Sequence, residues 1–350
     1  MDNYSRILGC LLGTAVGDAV GLKREGLSRK RSLRLYGGPP LSPDLFLNRG
    51  YCSDDTEHTL MVGRALVLSR GVPEDFERRL GRDLKHWLLT LPAGIGRATL
   101  RSCLKLLFGV PPQNSGVFSA GNGPAMRSAL LGLCASSESH LQELVLRSSR
   151  ITHKDPRAEQ GALLVARAAR LSLTEPGQSL REFLANSVSQ IQDAELKSAI
   201  ENAVEHLARQ STPEEYAHDQ GWSNGISGYI NQTVPAALFC WAYTADDFRQ
   251  SVENAVMLGG DADSVAAIVG AISGANLGVE VIPGEWKQQL AEWPRTIAWM
   301  ESLAECLSQM DETADPQAPP PMHWLATIPR NLLFAAVVIS LGGRRLLPPY

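Results

Sequence analysis

The sequence lacks the features that mark several common classes of protein. Its 350 residues carry 33 basic and 37 acidic side chains, for a net charge of −4, so no basic excess favours nucleic acid as a partner. The six cysteines are scattered and form no C-x-x-C pair. This spacing argues against a thiolate zinc site and against a disulfide framework. We therefore expect a reducing, cytoplasmic location and no nucleic-acid partner.

Uninterrupted apolar runs are also short. None reaches the roughly 20 residues that span a bilayer, and the best candidate, residues 332–341, has about half that length. Residues 7–16 are apolar but are interrupted by glycine and lack the positive start of a secretion signal. No G-x-x-x-x-G-K-[ST] motif is present, which excludes a P-loop. We expect no membrane partner.

What the sequence does have is helical periodicity along most of its length. Residues 56–70 are apolar nearly all round and end in Gly71 and Pro73, a pattern that indicates a buried helix with a stop signal. Residues 265–275 are as apolar, and residues 196–207 repeat at helical spacing. Because alternating strand patterns are scarce, the sequence predicts an all-α fold.

Four glycines recur at every fourth position near the N-terminus, at Gly9, Gly13, Gly17 and Gly21. On a helix they lie near one face, and each costs roughly 1 kcal/mol relative to alanine. This cost predicts a second helix packed closely against that face.

The predicted organisation is one catalytic domain over residues 1–310 followed by a C-terminal extension. A linker rich in proline and acidic residues covers 311–323, and a helix with a tail covers 324–350. We expect this last helix to pack on the core or to form an interface. The oligomeric state stays open.

Two short segments concentrate hard oxygen ligands, Ser53-Asp54-Asp55 and Asp261-Ala262-Asp263-Ser264. Carboxylates with hydroxyls suit Mg²⁺, Mn²⁺ or Ca²⁺, and each segment directly precedes an apolar helix. Helix capping alone would explain either segment. Two neighbouring aspartates at both helix starts exceed what capping needs, and like charges at close range call for a counter-ion. A two-metal site supplies one.

Further motifs follow a recognisable order along the chain. Gly17-Asp18-Ala19-Val20-Gly21 precedes Glu25, a glycine-rich turn at residues 119–127 enters a helix, Thr152-His153 follows, and Gly228-Tyr229 precedes an apolar helix. With the two acidic segments, the series GDAxG, SDDT, GNGxAMR, TH and GGDxDS resembles the ADP-ribosylglycohydrolase family over roughly residues 4–286. Each motif is weak by itself, and the set is specific.

The resemblance implies a compact single-domain orthogonal helical bundle with two Mg²⁺ or Mn²⁺ ions. It assigns three sets of residues. The implied metal ligands are Ser53, Asp54, Asp55, Asp261, Asp263 and Ser264. The implied catalytic residues are Glu25, Asp54 and Asp263, where Glu25 gates or assists the metal centre. The implied substrate residues are Ser119, Gly121, Asn122 and Gly123 at the diphosphate, with His153 and Tyr229 against ribose or adenine.

The sequence departs from the family pattern at a few positions. Ser53 and Ser264 stand where threonine is more frequent, and Ala262 replaces a more usual threonine. Pro124 removes one backbone N–H from the turn. No carboxylate is lost, so these differences bear on metal affinity and substrate preference. Asp18 is expected to bond backbone groups, and Arg127 to pair with either an acid or a phosphate.

By this resemblance the chain hydrolyses the glycosidic bond between ADP-ribose and an acceptor on a protein or a small adduct. Arginine, serine, an O-acyl group and a nucleobase all stay open as the acceptor. Two other functions are retained as alternatives: a metal-dependent phosphohydrolase of nucleoside diphosphate compounds, and a non-catalytic binder of ADP-ribose.

Overall fold

A computed structural model describes residues 1–175, 178–310 and 318–346. Within these ranges it contains eighteen α-helices and one pair of two-residue strands, so the predicted all-α fold is confirmed. In chain order the helices are Asn3–Gly21 (α1), Arg29–Tyr36 (α2), Asp54–Ser69 (α3), Pro73–Leu89 (α4), Arg97–Leu107 (α5), Pro112–Ser115 (α6), Ala129–Cys134 (α7), Glu138–Arg150 (α8), Pro156–Thr174 (α9), Leu180–Val188 (α10), Ala194–Ala208 (α11), Pro213–Asp219 (α12), Ile230–Tyr243 (α13), Phe248–Leu258 (α14), Ala262–Leu277 (α15), Gly284–Gln289 (α16), Ile297–Ser308 (α17) and Trp324–Arg345 (α18), and the strands are Leu27–Ser28 (β1) and Gly259–Gly260 (β2).

The centre of the fold is an antiparallel pair formed by α1 and α15. A methyl group added at Gly9, Gly13 or Gly17 would lie 2.1–2.2 Å from a carbonyl oxygen of α15. Only glycine permits this approach, so the close packing predicted from the four-residue spacing is confirmed. The contact fixes the end of α1 beside the start of α15, because Gly21 lies against the backbone of Ala262 and Asp263.

The predicted buried helices form close to their expected limits. Of the predicted residues 56–70, all but the last lie in α3, which ends at Ser69 because Arg70 takes a left-handed conformation with φ of 53° and Gly71 follows with φ of 75°. Residues 265–275 lie in α15, and residues 196–207 lie in α11. Helix α15 is buried along nearly its whole length, which places its first turn in the interior.

The two short strands join the loop after α1 to the start of α15. Leu27 pairs with Gly260 and Ser28 with Gly259 in antiparallel register. A side chain at Gly259 would collide with the carbonyl oxygen of Leu27 at 2.7 Å. The pairing therefore holds Glu25, two residues before β1, beside the acidic segment that follows β2.

Two helices are long and apolar enough to cross a membrane by length and composition. The first, Asn3–Arg24, is 89% buried as the core helix, and α18 is 28% buried. Uninterrupted apolar runs did not predict either helix as long enough, because Asp18 interrupts the first and Arg330 and Asn331 interrupt the second.

The C-terminal helix packs on the core through one face. Phe334 and Val337 join Leu22 and Leu45 in a small apolar cluster. Of the predicted linker, residues 311–317 lie outside the described residues, and residues 318–323 are non-helical. Residues 347–350 of the predicted tail also lie outside the described part. The domain limits remain a prediction.

Candidate metal and substrate site

Three helix ends meet at one buried point. Carboxylate oxygens of Asp18, Asp55 and Asp263 all lie within 4.8 Å of one another. The Ser264 hydroxyl donates to Asp55 Oδ2 at 3.1 Å, although these residues are 209 positions apart. The acidic segments at the starts of α3 and α15 thus share one location.

Asp18 holds the start of α3 in place. Its carboxylate accepts hydrogen bonds from the Ser53 amide at 2.8 Å and from the Thr56 hydroxyl at 2.6 Å. Backbone groups at a helix start need such acceptors because they have no partner within the helix. The expectation that Asp18 bonds backbone groups is confirmed, and its carboxylate also faces Asp55 and Asp263.

Helix capping does not account for the aspartates. The N-cap of α3 is Ser53, whose hydroxyl accepts from the Asp55 amide. Asp261 occupies the N-cap position of α15 but makes no capping hydrogen bond through its side chain. Asp55 Oδ1 and Asp263 Oδ1 are buried and have no hydrogen-bond partner. Buried acceptors of this kind are costly unless a ligand occupies them.

The electrostatics of the cluster favour a cation. Burial, followed by repulsion from neighbouring carboxylates, raises the pKa of Asp54 to about 8 and the pKa values of Asp55 and Asp263 well above their usual range. Burial also raises the pKa of Asp18 to about 7. In the described part of the chain, no lysine or arginine forms an ion pair with these four aspartates. Carboxylates, two serine hydroxyls and unpartnered oxygens fit hard divalent ions.

Glu25 lies at the solvent-facing rim of the cluster. The surrounding protein and the charge of Asp261 raise the pKa of Glu25, and Arg345 opposes the shift. Arg345 also donates to the carbonyl oxygens of Lys23 and Glu25, each at 2.8 Å. The last turn of α18 therefore holds the Glu25 loop.

The glycine-rich turn is joined directly to the acidic cluster. Asn122 Nδ2 donates to Asp261 Oδ2 at 2.6 Å, and the Asn122 amide donates to the Gly228 carbonyl at 3.0 Å. A methyl group added at Gly121 or Gly123 would lie 2.9 Å from the His153 ring. The turn therefore needs glycine at both positions to pass over the imidazole.

His153 is a buried and neutral wall residue. Burial and the charge of Arg127 lower its pKa to about 3, and its Nδ1 lies 2.9 Å from the Thr152 hydroxyl. Arg127 donates to Thr152 Oγ1 and to the Ser148 carbonyl, each at 2.8 Å. In the structure Arg127 thus braces the wall behind His153 through neutral groups.

A cavity of about 380 Å³ lies above the carboxylates. Among the site residues that the resemblance implies, Ser53 and Tyr229 do not line it. Ser53 lies behind Asp55, to which its hydroxyl donates at 3.0 Å, and Tyr229 bonds to Arg157 and Glu195 instead. The predicted residues that line the cavity are Glu25, Asp54, Asp55, Ser119, Gly121, Asn122, Gly123, His153, Asp261, Asp263 and Ser264.

One wall of this cavity was not predicted from the sequence. Gly94, Gly96 and the first turn of α5, including Arg97 and Thr99, also line it. The signal was present, because a Gly-x-Gly turn followed by a helix start repeats the pattern recognised at Gly121 and Gly123. Two glycine-rich turns therefore line the same cavity as the carboxylates.

A buried ion pair between Arg330 of α18 and Glu292, which lies between α16 and α17, supports the segment before the first acidic cluster. Arg330 contacts Glu292 at 2.6 Å, and both side chains are 2% exposed. Glu292 accepts from the Cys52 amide at 3.2 Å, and Arg330 donates to the Cys52 carbonyl. The residue that precedes Ser53 is thus held on both sides by charged groups.

Comparisons with known proteins agree with this geometry. A model of the ADP-ribosylglycohydrolase family matches residues 1–317. The chain is 33% identical to the ADP-ribosylarginine hydrolase Tri1 of Pseudomonas putida, over 88% of this chain and 80% of the relative. It is 28% identical to the ADP-ribosyl-[dinitrogen reductase] glycohydrolase of Rhodospirillum rubrum, over 82% of this chain and 90% of that protein.

The fold has a solved counterpart as well. An ADP-ribosylglycohydrolase-related protein complex contains a chain with 29% sequence identity and a TM-score of 0.65, aligned over 88% of this chain and 99% of the other. A family match over most of the chain, together with a shared fold, decides the assignment. The chain belongs to the ADP-ribosylglycohydrolase family, which consists of hydrolases that act on glycosyl bonds.

Proposed function

We propose that the protein releases ADP-ribose from an ADP-ribosylated side chain in a reaction that depends on two Mg²⁺ or Mn²⁺ ions. The observation that carries the proposal is the meeting of Asp55 and Asp263, which each have a buried oxygen without a partner and line one cavity with the glycine-rich turn. A substrate that bears both a diphosphate and a ribose fits such a site, because amide groups at a turn favour phosphate and carboxylates favour divalent cations.

The residues that would hold the ions are Asp54, Asp55, Asp261 and Asp263, with Ser53 and Ser264. When bound, divalent ions polarise substrate oxygens and lower the pKa of water. Asp18 and Asn122 act one step further out, since Asp18 fixes the start of α3 and Asn122 fixes Asp261. Such supporting bonds keep ligands in the orientation that binding needs.

Bond cleavage requires a proton to move from water to the leaving group. Water attacks the anomeric carbon through an oxocarbenium-like state, a C–O bond forms, and the bond to the acceptor breaks. Glu25, at the rim, would accept the water proton, and its raised pKa brings it closer to the value that suits a base at neutral pH. The proton ends on the released acceptor.

Arginine is the acceptor that we propose first. The support is the 33% identity to a relative whose name specifies ADP-ribosylarginine. The cavity also fits a cationic leaving group, because Glu25 and Asp54 lie at its acidic side. We place the reaction in the cytoplasm on the ground that all six cysteines are free.

The decisive experiment is product analysis by mass spectrometry. Peptides ADP-ribosylated on arginine or on serine are incubated with the protein in Mg²⁺, in Mn²⁺ and in EDTA. We expect intact ADP-ribose from the arginine peptide with metal and none in EDTA. AMP with ribose phosphate would favour the phosphohydrolase, binding without release would favour the non-catalytic binder, and full turnover in EDTA would contradict metal dependence.

A further inference from the structure

The outward face of α18 carries a regular apolar seam. Leu325, Leu332, Ile339 and Leu346 recur every seven residues and are 55–84% exposed. Pro329, Ala336 and Gly343 lie on the same face between them and are also exposed. Alternate spacings of four and three are typical of helices that pair along their length. The seam extends over all six turns of the helix.

Among the described residues, none covers this seam. The face of α18 that packs on the core contains a different set of residues, Thr327, Arg330, Asn331, Phe334 and Val337. Of the seventeen large apolar side chains exposed in the described residues, nine lie on α18, at its end or in the two loops beside it. Apolar surface concentrated in this way marks an interaction site.

The loops beside α18 present leucines in a costly conformation. Leu47 and Leu91 have φ of 50° and 59° and are 79% and 60% exposed. Both loops touch α18, because Leu45 packs on Phe334 and the Thr90 carbonyl accepts from Asn331 at 2.9 Å. A left-handed conformation costs leucine about 1 kcal/mol or more. Burial of these two leucines against a partner would offset that cost.

We propose that a second copy of this chain covers the seam, with the two α18 helices antiparallel. The charges on α18 favour this direction. Arg344 and Arg345 lie at its C-terminal end, no acidic residue is present on the helix, and the seam from Leu325 to Ile339 is uncharged. Parallel helices would bring both arginine pairs together. Antiparallel helices separate the two arginine pairs by about 30 Å. Their two dipoles then point in opposite directions, so that ends of opposite partial charge lie side by side.

The seam is also reciprocal about its centre, as a twofold interface requires. In the antiparallel arrangement Leu325 faces Leu346 of the second copy, and Leu332 faces Ile339. Ala335 and Ala336 fall at the axis, where small side chains permit close approach. Helix α18 is about 33 Å long, and the exposed Leu47 and Leu91 extend the apolar surface beside it. A contact confined to one helix and two loop tips is small for a specific interface. We therefore expect a dimer with micromolar affinity.

Sedimentation velocity of the full chain from about 1 to 100 µM tests the proposal in the affinity range expected for such an area. We expect wild type to reach twice the chain mass, and Leu332→Glu/Ile339→Glu to stay monomeric, with affinity weakened at least about a hundredfold and an unchanged circular dichroism spectrum. Leu173→Glu on α9 is the matched control, since Leu173 is 44% exposed and lies outside the seam; it should dimerise normally. A monomeric wild type, or a double variant that dimerises as well, would overturn the proposal.

Two further measurements identify the occupant and its direction. Co-sedimentation with vesicles of phosphatidylglycerol and phosphatidylcholine should leave the wild type in solution; seam-dependent vesicle binding by monomers would assign the face to a membrane and reject the dimer. Under oxidising conditions Ala336→Cys should cross-link to itself, and Leu325→Cys should cross-link only to Leu346→Cys. Self-linked Leu325→Cys would contradict the antiparallel arrangement. Five natural cysteines are buried, so wild type sets a low background.

Discussion

The two helix starts that share the acidic cluster are held in place by different kinds of interaction. Side chains hold the start of α3, through the Asp18 carboxylate on one side and the Glu292–Arg330 pair around Cys52 on the other. Backbone contact holds the start of α15, where Gly21 lies against Ala262 and Asp263 and β2 pairs with β1.

The difference shows how one site tolerates concentrated negative charge. Helix α15 approaches α1 without side chains between them, so its aspartates cannot shift to relieve repulsion. Helix α3 is anchored by buried charged groups, each of which is costly to desolvate and returns that cost only when its partners are all present. We therefore expect the loss of one charge to destabilise the protein strongly through the start of α3. We expect added side-chain volume to displace the start of α15.

Loss of a central carboxylate tests whether both starts serve one site. Asp55→Asn and Asp263→Asn should each lower kcat/KM on the order of a thousandfold, because both residues line one cavity and each has a buried oxygen without a partner. Turnover of an ADP-ribosylated arginine peptide with Mn²⁺ is the measurement. The exposed Asp246→Asn is the control and should match wild type. A large effect at only one of the two aspartates would separate the clusters.

Loss of Arg330 should cause the largest change in stability. Arg330→Met leaves Glu292 buried without its partner, and we expect the free energy of unfolding to fall by about 3–5 kcal/mol. Urea unfolding followed by circular dichroism measures it. Arg209→Met, at an exposed pair, should change stability little. Glu292→Gln/Arg330→Met should be more stable than Arg330→Met alone; equal or lower stability of the double variant would mean that the pair does not act as a unit.

Local patterns in the sequence were enough to predict much of this arrangement. The glycine spacing predicted the close approach of α1 to another helix, and the paired aspartates pointed to two helix starts. Neither pattern shows which residues, distant along the chain, make the contacts. Glu292 and Arg330 are single charges in unremarkable surroundings, and their meeting at Cys52 depends on how α18 docks.

The missed wall of the cavity has a different cause. Gly94 and Gly96 carry the same turn signal as Gly121 and Gly123, but Ile95 stands between them where Asn122 stands in the other turn, so no amide side chain suggested a ligand. Tyr229 illustrates the converse. Its backbone is beside Gly228, which lines the cavity. Its side chain bonds to Arg157 and Glu195 instead, and the spacing of a motif along the chain does not predict that orientation.

Added volume at the glycine face tests the second half of the comparison. A methyl group at Gly17 would lie 2.1 Å from the Ala266 carbonyl oxygen, so Gly17→Ala should push α15 outward and lower stability by about 1–3 kcal/mol. Gly284→Ala meets open space and should be near neutral. Metal affinity, measured by calorimetric titration with Mn²⁺, should fall only in Gly17→Ala. Unchanged stability and affinity in that variant would show that backbone contact does not position Asp263.

The smallest expected effect is the pH dependence of stability. The pKa of Asp54 is raised to about 8 and that of Asp18 to about 7, so the folded protein holds protons that the unfolded chain releases near pH 4. This contribution is complete below about pH 4 and is lost as pH rises through about 7–8. In EDTA the Tm should therefore fall by a few degrees between about pH 6 and 8.5. A divalent ion replaces those protons, so the increase in Tm caused by Mn²⁺ should be larger at the higher pH. Scanning fluorimetry with and without Mn²⁺ measures both slopes, and Asp54→Asn should flatten the slope in EDTA. If the Tm in EDTA instead rose with pH, the aspartates would be ionised in the folded protein without a cation. Repulsion between carboxylates would then no longer explain why the two helix starts, held in different ways, need a cation between them.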